Sequence, residues 1–154
     1  MYNVSEILKN FCLISVGVAW ILAQIIKIFT GYFASDEKFS VVKFLCGTGG
    51  MPSSHSATVM ALLVSSAIEY GFASFNVAVS VLLAIIVMND AMGVRYETGK
   101  QAKVINELVK EIFSGQSTDI NKNLKELVGH TPIQVLVGAL LGTIVPFILL
   151  LIIK

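Results

Sequence analysis

Two histidines and a single arginine stand out in a chain otherwise rich in apolar residues. His55 follows Pro52, Ser53 and Ser54, and His130 directly precedes Thr131 and Pro132. Lys27, Asp90, Arg95 and Lys100 complete a set of charged groups bordering apolar runs. These residue types fit chemistry on a phosphate ester. A guanidinium binds phosphate oxygens bidentately, and an ammonium adds a point charge. Ser53 and Ser54 can donate hydroxyl protons to the same oxygens, and Gly47, Gly49 and Gly50 let the backbone approach closely. A helix starting here adds its N–H groups and the positive end of its dipole. Two imidazoles then supply a nucleophile and a general acid near neutral pH. With cations balancing the charge, the scheme needs no metal and no other cofactor.

Each residue also has a plainer use. Lys27 can snorkel to a membrane interface. Ser53, Ser54 and His55 can do no more than cap a helix. Asp90, a costly carboxylate at the end of an apolar stretch, can pair with Arg95 or Lys100. What favours the chemical reading is where the surrounding elements put these groups.

Four apolar stretches are long enough to matter. The first runs from Phe11 to Phe29 and meets the roughly 20 residues needed to span the hydrocarbon core. It is too long for the apolar segment of a signal peptide, and no small-residue cleavage site follows it. The second opens at Pro52-Ser53-Ser54, good helix starters, and runs through Ile68, or 18 residues when counted from Ser53 to Tyr70, with Gly71 as terminator. The uncharged link GFASFN leads to the third, Val77 to about Gly93, so the second and third form an antiparallel hairpin. The fourth runs from Pro132 to Ile153; Gly138 and Gly142 offer a close-packing face, and Pro146 is expected to kink it. Between the third and fourth lies the polar segment 94–131. There Ile105, Leu108, Val109 and Ile112 fall on one face of a helix, opposite Lys103, Glu107, Lys110 and Glu111. This spacing predicts an amphipathic helix at the interface or beneath the bundle. VVKFLC at 41–46 is a candidate interfacial piece, and NLKELVGH at 123–130 a short helix or turn.

The expected fold is therefore all-α, an integral membrane bundle of about four transmembrane helices plus an amphipathic helix in the third connection, forming one domain over 1–154. In an up-down bundle the end of the first helix, the start of the second, the end of the third and the start of the fourth share one face. Lys27, His55, Asp90, Arg95 and His130 all collect there.

Composition agrees. The chain is 55% hydrophobic and 14% charged, against about 25% charged in soluble domains. Its mean hydropathy is +0.80. No basic run or interleaved aromatic stripe points to nucleic acid. Cys12 and Cys46 lack any metal-ligand spacing and read as ordinary apolar residues. The two long connections hold eight of the 11 basic residues, so the positive-inside rule puts them, and the reactive face, in the cytoplasm.

PSSH at 52–55 resembles the PSGH motif of the type 2 phosphatidic acid phosphatase superfamily, which includes vanadium haloperoxidases. GHTPIQVLVGALLG (129–142) resembles its closing motif, in which a His is followed four residues later by Asp and then by a Gly-rich helix. With GGMPSSHSA and NDAMGVRYETGKQAKVINELV (89–109), the chain looks most like the divergent bacterial branch of that superfamily along nearly its whole length. The resemblance implies that His130 is a nucleophile forming a phosphohistidine, that His55 is the general acid, and that Ser53 and Ser54 cradle phosphate. Lys27 would stand for the Lys of the first motif, although Ala34 and Ser35 replace the expected Arg-Pro. Gln134 occupies the position of the orienting Asp, and Leu124 that of an Arg. Arg95 is expected to replace that Arg, with Lys100 beside it, and Asp90 to supply the missing carboxylate.

The expectation is a metal-independent phosphatase in the bacterial plasma membrane, acting on a lipid phosphate monoester or isoprenyl pyrophosphate, with membrane lipids as surroundings and homo-oligomer formation left open. The alternative is a non-enzymatic membrane protein that binds anionic head groups or scaffolds a partner. A transporter is disfavoured because the second and fourth helices are nearly uncharged through their middles.

Overall fold

The protein was analysed as a computed structural model, which describes residues 7, 9–34, 50–113 and 129–153. Every regular element longer than a turn among them is a helix: α1 Phe11–Ala34, α2 Ser54–Tyr70, α3 Phe75–Met92, α4 Val94–Phe113 and α5 Pro132–Ile153. The interfacial piece expected at 41–46 lies outside the described residues, as does most of the turn expected at 123–130.

Local sequence sets the helix boundaries. The Asn10 side chain accepts from Leu13 N–H at 3.1 Å and starts α1. Ser53 and Ser74 do the same for α2 and α3 through Ser56 and Val77. Gly71 ends α2 with φ of 79°, a left-handed conformation that costs glycine nothing. Four residues later α3 has begun, which makes α2 and α3 an antiparallel hairpin. Gly93 alone separates α3 from α4, and its carbonyl accepts from Glu97 N–H, so α4 follows directly. The structure carries α5 unbroken through Pro146, whose ring is buried.

α2 is the central helix, with α1, α3 and α5 packed around it. Its register with α1 is antiparallel. Cys12 Sγ meets Ser66 Oγ at 3.8 Å, Ala19 packs with Ala61, and Thr30 Oγ1 donates to Met51 O at 2.6 Å. The same progression sets Lys27 level with Ser53. α5 runs parallel to α2, because Gly138 lies on Ser53 and Ser56 and Gly142 on Ala57. A Cβ at either glycine would overlap α2 backbone atoms, so the small-residue pair is what permits the approach. Encasement by three helices also explains the composition of α2. Apart from Val59, its buried face is Ser54, Ser56, Ala57, Ala61, Ser65 and Ser66, small residues that let its neighbours close in.

Among the described residues, three helical stretches are long and apolar enough to cross a membrane: Phe11–Thr30, Phe75–Val109 and Pro132–Ile153. α2, with 17 residues, is shorter and more polar, and its shelter among the other helices relieves it of facing lipid. The outward surface is apolar instead. Trp20, Ile21 and Ile25 on α1, Leu82 and Ile86 on α3, and Leu136, Leu140 and Ile144 on α5 are all exposed, a continuous belt that lipid would cover. On α4, Ile105, Leu108 and Ile112 are exposed too, so this helix turns its apolar stripe outward rather than beneath the bundle.

Candidate active site

Four helix ends meet at one end of the bundle. The backbone N–H of Ser53 donates to Gln134 O at 3.0 Å, joining the starts of α2 and α5. The N–H of His130 donates to Ala91 O at 3.0 Å, joining the start of α5 to the end of α3. These two main-chain bonds bring His55 and His130 together, with ring centroids 6.0 Å apart and planes inclined by 59°. His130 is 3% exposed, whereas His55 is exposed.

The orientation of His130 follows from the sequence around it. Thr131 caps α5 and Gln134 is the third residue of its first turn. Thr131 Oγ1 accepts from Gln134 N–H at 3.4 Å, and Gln134 Oε1 accepts from Thr131 N–H at 3.1 Å. This is a reciprocal capping box. The same Oε1 lies 3.3 Å from His130 Nδ1. Because an amide oxygen only accepts, this contact places the proton on Nδ1 and the basic lone pair on Nε2. Gln134 therefore fills the orienting position, as a neutral acceptor.

Lys27 is 3% exposed on α1, level with the first turn of α2. Thr30, one turn further on, shares its hydroxyl proton between Met51 O at 2.6 Å and Lys27 O at 3.1 Å, which pins the approach to α2 against α1. Ser53 takes its plainer role. Its Oγ accepts from Ser56 N–H at 3.4 Å and from Ser56 Oγ at 3.1 Å, so its oxygen serves the helix cap. Ser54 differs: its carbonyl holds Thr58 Oγ1, and no described residue hydrogen-bonds its hydroxyl.

Asp90 is half-buried, next in the chain to the carbonyl that holds His130. Arg95 belongs to the first turn of α4, just beyond. Lys100 lies one to two turns along α4, where its Nζ pairs with Glu97 at 2.9 Å in an exposed bridge. The structure thus gathers Lys27, Ser53, Ser54, His55, Asp90, His130 and Gln134 at one end, and shows Lys100 engaged on the surface of α4. Two contributors went unread in the sequence: Thr30 and Thr131. The pattern Thr131-x-x-Gln134 was a local signal for the capping box, whereas Thr30 acts through a contact distant in sequence; the close-packing face expected at Gly138 is found against Ser53 and Ser56. Among the described residues, no three of His, Cys, Asp and Glu cluster so as to hold a metal ion.

Comparison with known proteins agrees with this arrangement of motifs. The chain is 43% identical over 155 residues to a Bacillus subtilis (strain 168) protein named "Uncharacterized membrane protein YuiD", with 94% of this chain and 96% of that protein covered. No solved structure matches. The family model described as "Divergent PAP2 family" matches residues 8–145, a span that includes both histidines and all the helix ends that position them, and the chain belongs to that family.

Proposed function

We propose that this protein is a metal-independent membrane phosphatase acting on a lipid phosphate monoester or an isoprenyl pyrophosphate, through a phosphohistidine intermediate. The observation that carries the reading is the histidine pair, 6.0 Å apart at the N-terminus of α2, with His130 Nδ1 held by Gln134. Nε2 of His130 attacks phosphorus as the bond to the ester oxygen breaks, and His55 gives its proton to the leaving alkoxide. Water then attacks the phosphohistidine and returns a proton to His55, releasing inorganic phosphate and restoring His130. Lys27, the Ser54 hydroxyl and the positive end of the α2 dipole balance charge on the phosphoryl oxygens. Arg95 and Lys100 add positive charge on the same side, and Asp90 supplies the carboxylate that favours imidazolium. The excess of Lys and Arg in the long connections supports a cytoplasmic site in the bacterial plasma membrane.

The test is phosphate release by the purified full-length protein, in chelator, from phosphatidate, phosphatidylglycerophosphate and an isoprenyl pyrophosphate. Turnover that vanadate inhibits and that His130→Ala abolishes is the expected result. Full turnover in both His130→Ala and His55→Ala would overturn the mechanism. One observation favours a second reading, head-group binding without turnover: Gln134 gives His130 no negative charge. Binding of these lipids without phosphate release from any of them would establish that alternative.

A further inference from the structure

Gln24 is the feature that the proposed chemistry leaves unused. It is 8% exposed, yet its buried Oε1 has no hydrogen-bond partner among the described residues. Ser15 Oγ, further from the site on α1, is in the same condition. A serine hydroxyl solves this locally by turning to a carbonyl of its own helix, as Ser65 does toward Ala61 O at 2.6 Å. An amide oxygen has no such remedy, because the N–H groups inside a helix are already engaged with carbonyls. An unpaired buried acceptor is destabilising, so Gln24 calls for a donor from outside α1.

Its position says what that donor belongs to. α1 runs toward the site, so Gln24 is about 4.5 Å deeper in the membrane than Lys27, at a rise of 1.5 Å per residue. Val18 packs with the core of Ala19, Ala61 and Val145 that joins α1 to α5. Gln24 and Lys27 fall on the opposite flank of the buried arc of α1. That flank borders the face of α2 that α1 and α3 share. Ser66 marks this face, since Cys12 of α1 and Ser80 of α3 both reach it. His55 lies three turns before Ser66 and so points the same way. Among the described residues, α1 and α3 each pack on α2 and not on one another. Helix register therefore sets Gln24 on the His55 side of α1 at a slightly deeper level, the side on which the proposed mechanism puts the leaving group.

We propose that Gln24 is a further substrate-binding residue, and that it selects lipid phosphates carrying a free hydroxyl next to the phosphorylated carbon. A hydroxyl fits either orientation of the amide, because it donates to Oε1 and accepts from Nε2. A diacylated glycerol phosphate offers only ester oxygens there. A site built around such a hydroxyl discriminates strongly against an analogue that lacks it, since the buried amide is then left unpaired. This inference rests on the lipid-phosphate reading of the site.

The experiment compares binding of 1-oleoyl lysophosphatidate with its 2-deoxy analogue, by calorimetry in detergent. The full-length His130→Ala protein keeps the ligand intact, with and without Gln24→Leu. With Gln24 the hydroxylated lipid should bind at least about tenfold tighter, and Gln24→Leu should reduce the ratio to within about threefold. Equal affinities with Gln24 present, or a ratio that survives Gln24→Leu, overturn the proposal. Thermal melting separates this from a packing role: Gln24→Leu removes an orphaned polar group and should leave the melting temperature unchanged or raised, and a lowered one with the lipid preference intact marks a structural residue. Phosphate release by the unaltered protein is scored separately. A hydroxyl preference without turnover removes the phosphatase reading and keeps the Gln24 assignment; turnover without preference does the reverse.

Discussion

One oxygen, Gln134 Oε1, serves both the cap of α5 and the ring of His130. The two roles have different energetic scales. Losing a capping interaction costs about 1 kcal/mol of stability, whereas in the proposed mechanism losing the ring's orientation acts on the transition state. Gln134→Ala should therefore lower kcat by about 10²-fold, in the range of a misplaced acid–base group, with KM within about threefold. Steady-state kinetics on a lipid phosphate check this, and an equal rise in KM with kcat unchanged would assign Gln134 to binding instead. His55 can be tested by leaving-group chemistry. If it protonates the departing alkoxide, its loss matters only where the alkoxide needs a proton. His55→Ala should be slowed by about 10²-fold or more on an alkyl phosphate and by less than about tenfold on p-nitrophenyl phosphate. His130→Ala should be inactive on both. A His55→Ala deficit equal on the two substrates would mean that His55 does something other than protonate the leaving group.

The site exists because α5 and α2 touch backbone to backbone. Gly138 and Gly142 are one turn apart on α5 and rest on Ser53, Ser56 and Ala57. A methyl group at either must displace main-chain atoms, and overpacking of this kind costs about 1–3 kcal/mol. Both Gly138→Ala and Gly142→Ala should lower the melting temperature in detergent. They should differ in function. Gly138 is next to the bond between Ser53 N–H and Gln134 O, so Gly138→Ala should also lose turnover beyond what its melting temperature explains. Gly142 is a turn further from the histidines, and protein with Gly142→Ala that remains folded should keep most of its rate. Helix positions were legible in the sequence because apolar run length and the flanking Pro, Ser and Gly are local signals. The antiparallel order was legible from the short link at 71–74. The centrality of α2 was not: its polarity reads as weakness in a membrane helix until the three encasing helices explain it. Ser53 and Ser54, identical by type, separate only in the structure, where the Ser53 oxygen caps α2 and the Ser54 side chain does not.

For the molecule as a whole, convergence of Lys27, His55, Asp90 and His130 was readable from topology alone, since alternate helix ends of an up-down bundle must share a face. Burial and hydrogen bonding had to come from the structure: Lys27 and His130 are both buried, and the oxygen of buried Gln24 has no partner among the described residues. Orientation rests on charge. α4 leaves α3 at the site end, carries Lys100 and Lys103 among its exposed residues, and exposes Ile105, Leu108 and Ile112. Such a helix lies in the interface on the side where lysines accumulate. At the opposite end, the α2–α3 turn holds Phe72, the most exposed of the large apolar residues described, and no charged residue. The crossing of α2 decides whether these ends occupy different compartments. At 17 residues it is about 25 Å long, somewhat less than a hydrocarbon core of about 30 Å. The flanking residues 50–53 and 71–74 make up the difference. In protein with Cys12→Ala and Cys46→Ala, a membrane-impermeant maleimide should reach Lys103→Cys only in inside-out vesicles and Phe72→Cys only in intact cells stripped of their outer layers. The reversed pattern would put the histidines outside and remove the cytoplasmic assignment. Labelling of both positions from one side would show that α2 and α3 do not cross as a pair, and the convergence of all four helix ends would need another explanation.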